Sequence, residues 1–172
     1  MIRICHKTIK DRELNKINEF RIGSLIYAEN PTDEELQKIA SDFSLDAGLL
    51  KDAIDPYEVP RFEIDNGTLF VFTRAPFQEQ NSRVSTLPLL IAVGADFVLT
   101  ISQCHFPFFK KFEDNKIEFT TTQKTKLLIQ FFSEIIASYN NFLVNINRSV
   151  RGASVRVENI TNQNIIQFVT FE

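Results

Sequence analysis

The stretch RFEIDNGTLFVFTR, Arg61–Arg74, limits the possible folds more than any other part of the chain. Asn and Gly accept the positive φ angles of a tight type I′ turn, so Asn66-Gly67 joins two β-rich runs into a hairpin. A second hairpin follows at once: STLPLLIAV, then Gly94-Ala95-Asp96, then FVLTIS. Its strands are apolar almost throughout, which places them centrally in a sheet that is covered on both faces. Covering two faces takes helices on both sides, and the rest of the sequence supplies them.

Upstream, MIRICHKTI alternates, with Ile2, Ile4 and His6 on one side of a strand. Glu13–Phe20 pairs with it through a polar turn, and Ser24–Ala28 is a short buried strand. NPTDEEL opens a helix: Thr32 caps it, Glu35 closes a capping box, and Asp33 and Glu34 suit the positive end of the dipole. Leu36, Ile39, Ala40 and Phe43 form its apolar stripe. A second short helix runs from its cap Asp46 to about Ile54, with Leu50, Ala53 and Ile54 inward, and Pro56 cannot continue it. Pro107 suits the first turn of a helix through FFKKFEDN. From Thr122 a long helix carries Leu128, Phe131, Ile135, Phe142, Ile146 and Val150 on one wide face. The tail opens another helix, capped by Asn159 or Thr161, and shows no stop signal.

The expected architecture is therefore α/β: about seven strands in a mixed parallel and antiparallel sheet, sandwiched between helix layers and ending in a long helix. It is one domain overall. Residues 1–121 form the strand-rich core with short helices, and 122–172 the long helix with the start of a following one. The longest apolar run near the middle is LLIAV, far short of the roughly 20 residues that a spanning helix needs, so no membrane crossing is expected.

A net charge of −3 argues against a nucleic-acid binder, which carries a basic excess. The charge is uneven: Glu29–Asp65 has eleven acids and three bases, and 116–157 six bases and two acids. Two cysteines, Cys5 and Cys104, make no disulfide framework, and the N-terminus does not read as a signal peptide, so a reducing cytosolic setting is expected.

The acids crowd at KDAIDPYEVPRFE, where a helix ends and a strand begins: Asp52, Asp55, Glu58 and Glu63. Hydrated surface carboxylates are the ordinary reading. The alternative is a cation site, because Asp52 and Asp55 are three apart and share a helix face. Hard dications take oxygen ligands, and magnesium keeps several waters, so one or two carboxylates can hold it through water. Completing such a site takes a further acid from elsewhere. The repeated dipeptides Cys5-His6 and Cys104-His105 carry zinc-type donors. Neighbours on a strand point to opposite faces, so the spacing fits no zinc ribbon. No G-x-S-x-G, P-loop or H-E-x-x-H motif is present.

The order of these motifs is familiar. NPTDEELQKIASDFSLDAGLLKDAIDPYEVPRFEIDNGTLFVFTRAP resembles the N-terminal cytoplasmic domain of the CorA-like family of divalent-cation, mainly magnesium, transporters. That family tends to show a Pro-Thr-x-Glu-Glu-Leu helix start, an acidic pair ending a short helix, an Arg-Pro-Lys-like turn and a hairpin. LLIAVGADFVLTIS and the long helix fit its later elements.

The resemblance implies a cytosolic regulatory domain of a homopentameric channel, at the cytoplasmic face of the cell membrane, with no enzyme activity. Mg2+ between neighbouring subunits would favour the closed state, with Co2+, Ni2+ or Zn2+ as the cations of some members. It places one ligand on Asp52, with its partner on the stalk helix of the next subunit; Asp55 joins Asp52 as a candidate by spacing alone, and Glu134 is a weaker one. The family's acid before that aspartate is Lys51 here, and a further acid in the long helix is replaced by Ser133. The stalk, both membrane helices and the Gly-Met-Asn loop lie outside this sequence, which is read as a soluble sensor domain taken from a longer protein. Two other readings remain: a stand-alone α/β interaction module with an acidic face, and a cytosolic hydrolase using Cys104 or His105.

Overall fold

The computed structural model describes residues 1–78 and 84–154. Its strands are β1 (Ile2–His6), β2 (Asn15–Ile17), β3 (Ser24–Glu29), β4 (Arg61–Asp65), β5 (Thr68–Gln78), β6 (Val84–Val93) and β7 (Phe97–Ser102). They form one seven-stranded sheet in the order β2-β1-β3-β7-β6-β5-β4. Only β3 and β7 run parallel; the other neighbours are antiparallel. The expected mixed sheet between helix layers is what forms.

Local chemistry explains the joints. Asn66 and Gly67 both take positive φ, 46° and 76°, as a type I′ turn requires. Gly94 turns the second hairpin, where an added Cβ would lie 2.4 Å from the Phe97 ring. Residues 89–92 of β6 and all of β7 are buried, in keeping with their unbroken apolar runs.

Among the described residues, four helices supply the covers: α1 (Asp33–Phe43), α2 (Ala47–Asp52), α3 (Phe109–Glu113) and α4 (Lys124–Ser154). The Thr32–Glu35 capping box starts α1, and the Asp46 side chain caps α2. On one face, Leu36, Ile39, Leu50 and Ala53 pack with Phe70, Phe72, Leu90 and Leu99. On the other, Phe109, Phe112, Leu127, Phe131 and Ile135 pack with Tyr27, Leu89, Ile91 and Val98. Burial at roughly 25 cal/mol per Å² of apolar surface makes these two layers the main source of stability.

Several expectations are corrected. The strand expected over Glu13–Phe20 is only three residues long, because its polar flanks offer nothing to bury. The third helix begins at Phe109, so Pro107 precedes it instead of sitting in its first turn. The long helix starts at Lys124. Its apolar face is buried only as far as Ile135, with Leu128, Phe142, Ile146 and Val150 half-buried, because the sheet ends before the helix does. By length and composition, Lys124–Arg151 is apolar enough to cross a membrane, contrary to the expectation from LLIAV. Its Leu127, Phe131 and Ile135 are packed in the core, which makes that half a core helix. The expected tail helix lies outside the described residues.

Candidate functional site

The acidic joint is built by two elements that meet at the edge of the sheet. Leu50 and Ala53, both fully buried, fix α2 against the sheet and leave Asp52 at its last position, with its side chain 44% exposed. β4 is the edge strand. Its alternation sends Phe62 and Ile64 to solvent on one face, 74% and 73% exposed, and Arg61 and Glu63 to the other. Arg61 lies opposite Phe72, a member of the layer under α1 and α2, so its side chain rises on the α2 face.

There Arg61 gathers the acids. Its Nη2 donates to Asp52 Oδ2 at 2.6 Å and its Nε to Glu63 Oε1 at 2.5 Å, while Nη1 donates to Glu58. The guanidinium also lies 3.9 Å from the centroid of the Phe72 ring, within cation–π range. The hydrogen bond to Glu63, then those to Asp52 and Glu58, push the Arg61 pKa up against the opposing effect of burial. The loop between is fixed from the next strand: Arg74 Nη1 donates to the carbonyls of Pro56 and Glu58 at 3.0 and 2.8 Å. Gln103 donates to the carbonyl of Ile54.

The named residues separate. Asp55 lies one turn beyond the end of α2, its amide on the Asp52 carbonyl at 3.1 Å. Its carboxylate accepts from the Tyr57 amide at 2.9 Å. The two aspartates thus turn to different partners. Glu134 accepts from Lys111 Nζ at 2.6 Å, on the α3–α4 side of the sheet. Asp52 and Glu134 therefore lie on opposite faces of one chain, and a single copy cannot bring them to one ion. Ser133 donates to the Ile129 carbonyl within its own helix. Lys51 stands exposed next to Asp52.

The Cys-His pairs do not converge either. Cys5 is buried, and Cys104 is partly buried, its thiol pushed up to about 11 by burial and by Glu29. His6 faces the Ile22 carbonyl, and His105 pairs with Glu29 at 2.6 Å. Among the described residues, no three His, Cys, Asp or Glu side chains are grouped to hold a metal.

Glu58 and Glu63 stand out in the sequence, but Arg61 as their common partner does not. Strand alternation around Phe62 and Ile64 was the available signal. Equally hidden in the sequence is the network in which Arg3 bridges Glu29 and Glu113, at 2.5 Å each. That contact joins residues far apart in the chain.

Residues 26–171 match the family described as CorA-like Mg2+ transporter protein. The chain is 26% identical over 156 residues to the cobalt/magnesium transport protein CorA of Methanocaldococcus jannaschii, covering 81% of this chain and 45% of that protein. The complete structure of the CorA magnesium transporter from the same organism superposes with a TM-score of 0.83 at 19% identity, covering 99% of this chain and 55% of that one. The structure of its soluble domain gives a TM-score of 0.84 at 19% identity, covering 99% and 70%. The chain thus spans about half the length of the curated relative it matches.

Proposed function

Because this chain belongs to the CorA-like Mg2+ transporter family, we propose that it is the ion-sensing cytoplasmic part of a divalent-cation transporter. Hydrated Mg2+ sits between neighbouring copies, and Asp52 supplies one carboxylate. The observation that carries this reading is the place of Asp52: a half-exposed carboxylate at the end of α2, in the part of the chain richest in acids. A second copy can reach it, while within its own chain it shares the Arg61 guanidinium with Glu58 and Glu63.

The mechanism is a shift in populations. Adjacent acidic surfaces repel one another, and a dication between them favours the closed assembly of several copies, a pentamer by family resemblance. When Mg2+ is scarce the repulsion returns and the assembly loosens. Asp52 needs only an outer-sphere contact, since magnesium gives up its waters reluctantly. Lys51 next to it weakens the site, so the response falls in the millimolar range. Asp55 and Glu134 are secondary candidates, and Glu134 would have to come from another copy. Co2+, Ni2+ or Zn2+ would be held by the same oxygen donors less selectively.

The raised Cys104 pKa speaks against the hydrolase reading, because the thiolate is the nucleophile. The interaction-module reading draws on the exposed Tyr57, Val59, Phe62 and Ile64 near the acidic joint. A surface of this kind serves a second copy equally well. Thermal unfolding with and without Mg2+ tests the proposal. Millimolar Mg2+ raises the midpoint of the native chain and leaves Asp52→Asn unmoved; an equal rise in both removes Asp52 from the site.

A further inference from the structure

We infer that Arg61 is a built-in competitor for Asp52, the residue that sets how tightly this domain can take a divalent cation. The inference rests on the reading of Asp52 as an ion ligand and adds its regulation from within the same chain.

The guanidinium is held from several sides. Arg61 binds Asp52 Oδ2 at 2.6 Å, Glu63 at 2.5 Å and also Glu58. It is stacked at 3.9 Å on Phe72, itself almost fully buried. Three carboxylates and an aromatic face fix it from different directions, so it does not swing aside when another cation approaches. Its backbone belongs to β4, paired residue by residue with β5. A dication at Asp52 therefore meets a fixed positive charge already using one oxygen of the carboxylate. It must share or displace that contact, and like charges a few ångströms apart repel even at the surface dielectric. Arg also offers planar donors matched to carboxylates, and it stays charged at every physiological pH. The competition is thus constant, and it holds the domain in a low-affinity range.

The test is a calorimetric Mg2+ titration of the 172-residue chain and its variants at fixed ionic strength. Arg61→Gln removes the charge and keeps a polar side chain; Arg61→Met keeps the contact with Phe72 and serves if the glutamine is not tolerated. Either variant is expected to bind Mg2+ at least tenfold more tightly than the native chain. Arg61→Lys, which keeps the charge, stays near the native value. Adding Asp52→Asn to the tighter variant abolishes the gain.

A folded Arg61→Gln or Arg61→Met that binds no tighter overturns the inference, and so does a gain that survives Asp52→Asn. The two readings fail separately. Asp52-dependent binding in the native chain, unchanged by loss of Arg61, sinks the competitor and leaves the sensor standing. No binding in the native chain, with an Asp52-dependent gain on removing Arg61, supports the competitor and sinks Asp52 as a working sensor in this protein.

Discussion

Arg61 and Asp52, nine residues apart, are joined by a 2.6 Å contact that ties the edge strand of the sheet to the end of α2. The carboxylate that the family resemblance singles out is thus already engaged within its own chain, while 44% of its side chain stays open to solvent.

Arg61→Ala should lower stability by about 1–4 kcal/mol, the sum over three ion pairs and one stacking contact. Partly exposed ion pairs contribute up to ~1 kcal/mol each, and the stacking on Phe72 about as much again. Urea unfolding checks this. The difference should shrink in high salt, which screens the ion pairs but leaves the stacking.

Phe131→Ala should cost about 3–5 kcal/mol. The ring is fully buried and packs edge-on against both Phe109 and Phe112, with centroids at 5.5 and 4.9 Å. Its removal leaves a cavity between α4, α3 and the sheet, read as a lower denaturant midpoint.

The Cys104 thiol, raised to about 11 by burial and by Glu29, should resist alkylation near neutral pH. Mass spectrometry after iodoacetamide treatment at about pH 7.5 should find it labelled far more slowly than a free thiol of ordinary pKa near 8.5. Labelling at the free-thiol rate would reopen the hydrolase reading.

Glu35 accepts from the Thr32 amide, which with the N-terminal amino group holds its pKa below the usual carboxylate range. A depressed folded pKa gives stability that is present above the unfolded value, about 4.3 for Glu, and is lost as pH falls through the folded value. The midpoint difference between the native chain and Glu35→Gln should therefore narrow as pH drops from about 6 to 3. A difference that stays constant would contradict the assignment.

What could be read from the sequence was local. Asn66-Gly67, the Thr32–Glu35 box and the apolar strands around Leu90 and Leu99 each state their structure within a few residues. What could not be read was long-range. Nothing near Arg61 says that it reaches Asp52, because that depends on how β4 sits against α2. Nor does the spacing of Phe142, Ile146 and Val150 reveal where the sheet beneath α4 ends. Asp52 and Asp55 looked like one pair by spacing alone. The end of α2 at Asp52 turned the second carboxylate to the Tyr57 amide. Exposed Phe62 and Ile64 run against the usual pattern for a strand, and they mark a surface left open within one chain.

Sedimentation velocity of the 172-residue chain, with and without millimolar Mg2+, shows whether the ion joins copies through Asp52. A larger species should form with Mg2+ and return to the smaller one on chelation, with no such change in Asp52→Asn. A native chain whose size is the same in Mg2+ and in chelator, or an Asp52→Asn variant that assembles as the native chain does, would contradict it.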